Sequence, residues 1–215
     1  MRPLFLLYIK KYVCYTMKIV QVGANCGYDH LSEYVTLNFN SNPEDVELHL
    51  IEPNPMVLDS LKKCYEKFPN AVIHNIAIKT PYQYETEIDI FYYEDDVVWQ
   101  NCTYGKASTK VTHLEKHRGQ PGCKKNIKSF TAKCKTLDDF LIDLNLFDID
   151  LLCIDAEGMD GEIILTFDWK KYSIKKVQFE FLHLEYYGDA ISNMFLGMGY
   201  HRVRSGNDND WAFEK

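Results

Sequence analysis

Apolar positions along the chain fall into short unbroken runs and into rows at helical spacing, and the two alternate. Lys18-Ile-Val-Gln-Val22 is a run of the first kind, and Gly23, Asn25 and Gly27 follow it directly. Such a run, with little polar alternation, predicts a strand buried on both faces. The glycines predict a turn whose backbone can approach what a Cβ would push away. A helix is expected from about Asp29 to Asn38, with its free N–H groups aimed at that turn. Val46 to Ile51 reads as a second strand, and Met56 to Phe68 as a helix with Val57, Leu61, Tyr65 and Phe68 on one side. Pro69-Asn70 ends it, and Ala71 to Ile78 is a third strand, too apolar for an exposed edge.

Later segments repeat the theme. Tyr84 to Tyr93 alternates in part and predicts an extra strand, Phe130 to Lys135 a short one. Thr136 is placed to cap a helix over Leu137 to Leu146, with Asp138 and Asp139 in its first turn, where the helix dipole favours negative charge. Ile149 to Ile154 is a fourth core strand, Asp160 to Phe167 a helix, Lys176 to Leu182 a fifth strand and Glu185 to Leu196 a helix. Tyr200 to Arg204 and Trp211 to Glu214 flank Ser205-Gly-Asn-Asp208, which predicts a hairpin. Strands and helices in series give an α/β fold: a Rossmann-like three-layer sandwich with a mostly parallel sheet, closed here by an antiparallel C-terminal hairpin.

Composition and charge refine this picture. At 215 residues, 46% hydrophobic and 14% aromatic, the chain is read as one packed domain, residues 1–215, rather than disorder. Residues 1–16 form an extension whose apolar run, Pro3 to Ile9, is too short to span a bilayer and reads first as a covering element, with a membrane-surface anchor or a start at Met17 as the alternatives. Seven scattered cysteines fit reduced thiols and a cytoplasmic location. The net charge of −7 argues against a nucleic-acid partner. Its distribution is uneven: Lys106 to Lys135 holds nine Lys or Arg against one acid, Glu115, so a +8 segment sits on a −15 remainder. Most of that segment lies in residues 94–129, which show no periodicity and read as an irregular loop insertion.

The first candidate site follows from strand ends. Glu52 closes the second strand, where a carboxylate can accept hydrogen bonds from both hydroxyls of a ribose. Together with Gly23 and Gly27 it indicates an adenosine-containing ligand. Asn25 occupies the place of the middle glycine of a dinucleotide fingerprint, which serves a pyrophosphate less well. A nucleotide-dependent oxidoreductase is therefore the second reading, and an idle cofactor-binding module the third.

Val22-Gly-Ala-Asn-Cys-Gly27, Ile51-Glu-Pro-Asn-Pro55, Asn75-Ile-Ala-Ile78, Lys135-Thr-Leu-Asp-Asp-Phe-Leu141 and Ile154-Asp-Ala-Glu-Gly158, in that order, resemble the FkbM family of S-adenosylmethionine-dependent methyltransferases. The likeness runs from about Lys18 to the C-terminus. It implies a class I methyltransferase fold, for which the terminal hairpin is the architectural signature, and transfer of a methyl group to a hydroxyl of a sugar, glycan precursor or small metabolite. With S-adenosylmethionine as cofactor, Gly23, Ala24, Asn25 and Gly27 would cradle the methionyl part beside the helix N-terminus, Glu52 would bind the ribose, and Asn75 and Ile76 would border the adenine.

Asp155 and Glu157 end the fourth strand on the edge where open α/β sheets bind ligands. The sulfonium already activates the methyl, so the protein must align a nucleophile and remove its proton. Asp155 is the first candidate for that, with Glu157 beside it. Glu180 and His183, at the end of the fifth strand, form a pairing similar to one in FkbM proteins, and His183 is a further candidate base. Asp155, Glu157 and Glu180 could also hold a divalent metal as hard oxygen donors. His113 and His117, with Cys102 and Cys123 nearby, suggest zinc, but the cysteines lack paired spacing. Lys124 and Lys125 in the basic segment would guide a phosphorylated or nucleotide-linked acceptor, and Ser108 is near the site in FkbM-like arrangements. Base methylation of nucleic acid is disfavoured, since Asp155-Ala-Glu-Gly158 stands where an Asp/Asn-Pro-Pro-aromatic motif would be expected.

Overall fold

Seven strands build the central sheet of the computed structural model, which describes residues 15–94, 106–120, 123, 126–182, 184, 187–205 and 209–215. In chain order the strands of this sheet are β1 (Met17–Val22), β2 (Val46–Ile51), β3 (Ala71–His74), β8 (Asp148–Ile154), β9 (Ser173–Glu180), β10 (His201–Val203) and β11 (Asp210–Glu214). Their spatial order is β10-β11-β9-β8-β1-β2-β3. β1 lies parallel between β2 and β8, with Val22 opposite both Ile51 and Ile154. The crossovers run to one side for β2 and β3 and to the other for β8 and β9, which makes the ends of β1 and β8 a topological switch point. β11 runs antiparallel to both β9 and β10, as the hairpin expectation requires.

Alternation along the buried strands sorts side chains to two layers. Ile19, Leu48, Leu50 and Leu151 face α1 (His30–Phe39) and α2 (Leu58–Cys64), meeting Leu31, Val35 and Leu61. Val20, Val22, Leu152 and Ile154 face the opposite layer, in one cluster with Leu137 and Phe140 of α4 (Leu137–Asp143), Ile163 of α5 (Asp160–Thr166) and Phe195 of α6 (Gly188–Gly197). The hairpin is fixed by aromatic packing: Phe213 stacks on Phe179 at 6.0 Å and on Phe195 at 4.9 Å.

Three expectations need correction. The strand over Ala71 to Ile78 is broken at Asn75 and Ile76 into β3 and β4 (Ala77–Lys79), and β4 belongs to a different sheet. Ile76 N–H turns back to the His74 carbonyl at 3.0 Å, and the Asn75 amide donates to the carbonyls of Glu52 and Pro53 at 2.9 and 3.0 Å. An apolar run alone cannot reveal such a change of partner. The helix expected to run on to Phe68 ends at Cys64, and a turn carries Tyr65 and Phe68 into the same core layer. The insertion is not wholly irregular either: it contains β6 (Ala107–Ser108), α3 (Val111–Glu115) and the start of β7 (Ile127–Thr136). With β4 and β5 (Glu87–Tyr93) these strands form a second sheet, ordered β4-β7-β5-β6, that stands over the switch point. The N-terminal covering element, residues 1–14, falls outside the described residues. Among those described, no helix is long and apolar enough to cross a membrane.

Candidate active site

A cleft of about 220 Å³, open in part to solvent, lies where the carboxyl ends of β1, β2 and β8 meet the small sheet. Gly23, Ala24, Asn25, Gly27, Glu52, Asp155, Glu157 and Ser108, all expected at the site, line it. Its opposite wall is made by Ala77 and Ile78 of β4, Ile90 of β5 and Ala107 of β6. Asn75 and Ile76, expected beside an adenine, are not part of the lining: Asn75 is spent on tying β2 to the kink, and Ile76 packs on the core. The kink presents Ala77 and Ile78 instead.

The loop after β1 is shaped by protein neighbours as much as by space for a ligand. Gly23 has φ +79°, and a Cβ built there would lie 1.7 Å from the Asp155 carbonyl oxygen. A Cβ on Gly27 would meet Cys64, Leu61 and Tyr65 of the α2 region at 3.0 to 3.1 Å. The glycines thus let this loop nest between its neighbours, a reason the motif alone did not give. Asn25 takes φ +48°, a left-handed conformation that asparagine tolerates, and so does work expected of a glycine.

Glu52 ties this half of the cleft together. It is 6% exposed, and its two oxygens accept from Asn25 N–H at 2.7 Å and Asn54 N–H at 2.8 Å. Burial pushes its carboxyl up to about 7 despite those two donors. A carboxylate oxygen with one N–H bound can accept again, so the geometry leaves it able to take ribose hydroxyls. The helix N-terminus beside this loop is already capped by the protein. Asp29 caps α1 through Ser32 N–H at 2.9 Å and is held by the Gln21 amide at 2.6 Å. The cap thus meets one of the first N–H groups of α1 with the protein's own carboxyl, whose proton affinity burial raises.

The other half gathers acids and histidines. Asp155 opens onto the cleft, yet protein surrounds it closely. That desolvation, and then Glu157, Asp160, Glu180 and Asp210, raise its carboxyl well above the usual range. Glu157 stands at φ +48°, an uncommon conformation for glutamate. Its carbonyl accepts from the Ser108 hydroxyl at 2.7 Å, and its carboxylate meets His113 Nε2 at 3.0 Å. Burial works to raise this carboxyl, but the His113 bond, followed by the charges of Lys106, His113 and His117, holds it below its ordinary value. Asp160, 2% exposed, accepts from Ala156 N–H at 3.0 Å and Gly158 N–H at 3.2 Å and so clamps the loop. Burial raises its carboxyl to about 6.

Glu180 lies outside the cleft lining, and burial followed by Glu157 pushes its carboxyl to about 7. Asp155, Glu157 and Glu180 are near enough to repel one another, but they do not form a cluster of ligand atoms at metal distance, whereas His113, His117 and Glu157 do. Cys123 is buried with Tyr93 and Leu114 instead of joining the histidines, and Cys102, His183, Lys124 and Lys125 fall outside the described residues. Sequence reasoning missed Asp160 and Lys106. The first could have been found as an acid at a helix start two residues after a glycine; the second had no local signal.

Much of the basic segment is occupied by the protein's own acids. Lys110 binds Glu162 at 2.8 Å and the Gly158 carbonyl at 3.0 Å, Arg118 pairs with Glu115, Lys128 with Glu94 and Lys135 with Asp143.

A seven-stranded sheet with the last strand inserted antiparallel, and a ligand cleft at the end of its first strand, define a class I, Rossmann-like methyltransferase fold. The methyltransferase FkbM domain model matches residues 21–202, and the chain belongs to that family of S-adenosylmethionine-dependent methyltransferases. The antiparallel hairpin and this membership remove the oxidoreductase reading. A search of curated proteins returns no match. Solved structures similar to the chain include a precorrin-6y C5,15-methyltransferase from Geobacter metallireducens GS-15, at 14% identity over 94% of this chain and 81% of that one, TM-score 0.45. A human methyltransferase 10 domain containing protein follows at 11% identity, 92% and 70% coverage and TM-score 0.46. A fibrillarin/Nop5p complex matches at 9% identity, 92% and 70% coverage and TM-score 0.43. Likenesses at this level carry no argument about substrate.

Proposed function

We propose that the protein transfers the methyl group of S-adenosylmethionine to a hydroxyl of a sugar, glycan precursor or small metabolite. The observation that carries this reading is the division of the cleft: a backbone loop and Glu52 at one end, and Asp155, its proton affinity raised, facing the same space at the other. Glu52 accepts the ribose hydroxyls, the 23–27 loop holds the methionyl part, and Asp29 faces its ammonium. In the transfer the acceptor oxygen forms a bond to the methyl carbon as the carbon–sulfur bond breaks. S-adenosylhomocysteine leaves, and the hydroxyl proton passes to Asp155. A carboxyl with raised proton affinity suits that step at neutral pH.

Calorimetry with S-adenosylhomocysteine and NAD, followed by a mass-spectrometric screen of hydroxylated acceptors beginning with nucleotide sugars, tests it. Micromolar binding of the first, none of the second and a product one CH2 heavier are expected. Asp155→Asn should lower turnover about 100-fold or more while changing S-adenosylhomocysteine affinity only a few-fold. Wild-type turnover in that variant, or methylation of amines alone, would overturn the assignment.

A further inference from the structure

Glu157 faces two ways: it lines the cleft, and its Oε2 reaches a histidine pair on the far side of the loop. His113 and His117 are four residues apart, on α3 and the turn that continues it, with ring centroids 5.2 Å apart. One ligand atom from each of His113, His117 and Glu157 lies within 4.8 Å of the other two. In a tetrahedral zinc site, bonds of about 2.0–2.1 Å place ligand atoms roughly 3.3 Å apart. The His113–Glu157 pair, at 3.0 Å, is already near that spacing. Closing the rest requires a small swing of the half-buried His117 side chain.

The surroundings hold these donors in place. Gly158 leaves room for the His113 ring, since a Cβ there would lie 2.7 Å from Nδ1. Ser108 fixes the Glu157 backbone, and Gln120 Oε1 lies 3.2 Å from His117 Nδ1. A partner on the second ring nitrogen is what selects the tautomer of a ligating histidine. Two histidines and one carboxylate form the donor set of zinc sites that keep an open position, and here Glu157 borders the cleft. The chief opposing feature is Lys106, whose charge acts on both Glu157 and His117. A dication must displace or repel that ammonium.

We propose that His113, His117 and Glu157 form a mononuclear site for a divalent transition ion of the zinc class. This differs in place and donor type from an all-carboxylate site on Asp155, Glu157 and Glu180. It rests on the ligand geometry and not on the methyl-transfer reading.

The test is titration of the chelator-treated full chain with Co2+ and Zn2+, in the absence of cofactor and acceptor. Expected is one equivalent of Co2+ showing visible d–d bands without thiolate charge-transfer absorption, displaced by Zn2+. His117→Ala, half-buried and outside the core, should weaken that equivalent at least about 10-fold. Glu157→Gln should do the same, and Lys106→Gln should tighten it several-fold. Far-UV circular dichroism checks that each variant is folded. Binding that is unchanged in His117→Ala, that shows only thiolate absorption, or that is absent from both wild type and Lys106→Gln overturns the site. Because no methylation is measured, failure here leaves the proposed activity standing, and success does not depend on it.

Discussion

Glu52 and Glu157 follow β2 and β8, the two strands that flank β1, and border one cleft, yet their surroundings drive their carboxyls in opposite directions. Glu52 is buried among neutral backbone donors, and desolvation outweighs them, so its carboxyl rises to about 7. Glu157 is likewise closely surrounded, but a histidine bond and nearby positive charge outweigh the desolvation and hold its proton affinity down. Burial alone therefore does not determine the charge state of an acid. The nature of the nearest donors does. The difference matches the division of labour proposed for the cleft, with a uniform polar cradle at one end and a charged, histidine-rich cluster at the other.

The comparison is broken most severely at the point where the two halves touch. Gly23→Ala would drive a Cβ into the Asp155 carbonyl and force alanine to a left-handed φ. A loss of about 2–4 kcal/mol is expected in urea unfolding, together with loss of S-adenosylhomocysteine binding. Stability within about 0.5 kcal/mol of wild type would show that the β1 and β8 loops are not packed as described.

Glu52→Gln sharpens the contrast. Cofactor affinity should fall about 10-fold, the scale of one lost charge-assisted hydrogen bond. The pH dependence of unfolding should change too. A carboxyl raised from 4.5 to about 7 binds its proton more tightly in the folded protein. Its contribution is therefore fully present below pH 4.5 and declines as pH rises through about 7. The variant should flatten that decline; an unaltered slope would mean that another group produces it.

Ser108→Ala probes the Glu157 end with the smallest expected effect. Its hydroxyl donates to the Glu157 carbonyl and accepts from Lys110 N–H at 3.1 Å, and the residue is 3% exposed. A loss of about 1–2 kcal/mol is expected, with S-adenosylhomocysteine affinity unchanged. Weakened cofactor binding would show that the two ends are coupled through the loop.

By itself the sequence determined the strand and helix elements whose apolar pattern is local. β1, β2, the β8 strand, the Thr136-capped helix and the terminal hairpin all stand close to where periodicity places them. It also placed Gly23 to Gly27 and Glu52 at the cleft, because each lies directly after a buried strand, and a strand end carries its following loop to a known edge of the sheet. Tertiary structure alone decided what depends on partners remote in the chain. The split into β3 and β4 is a choice between two sheets for one apolar run. The small sheet arises because β5 finds β7, with Glu87 opposite Lys133. His113 meets Glu157 across 44 positions only because β6 and α3 are carried over the end of β8. Periodicity records which face of an element is buried, but not which distant element buries it, and at this site the chemistry lies in that pairing.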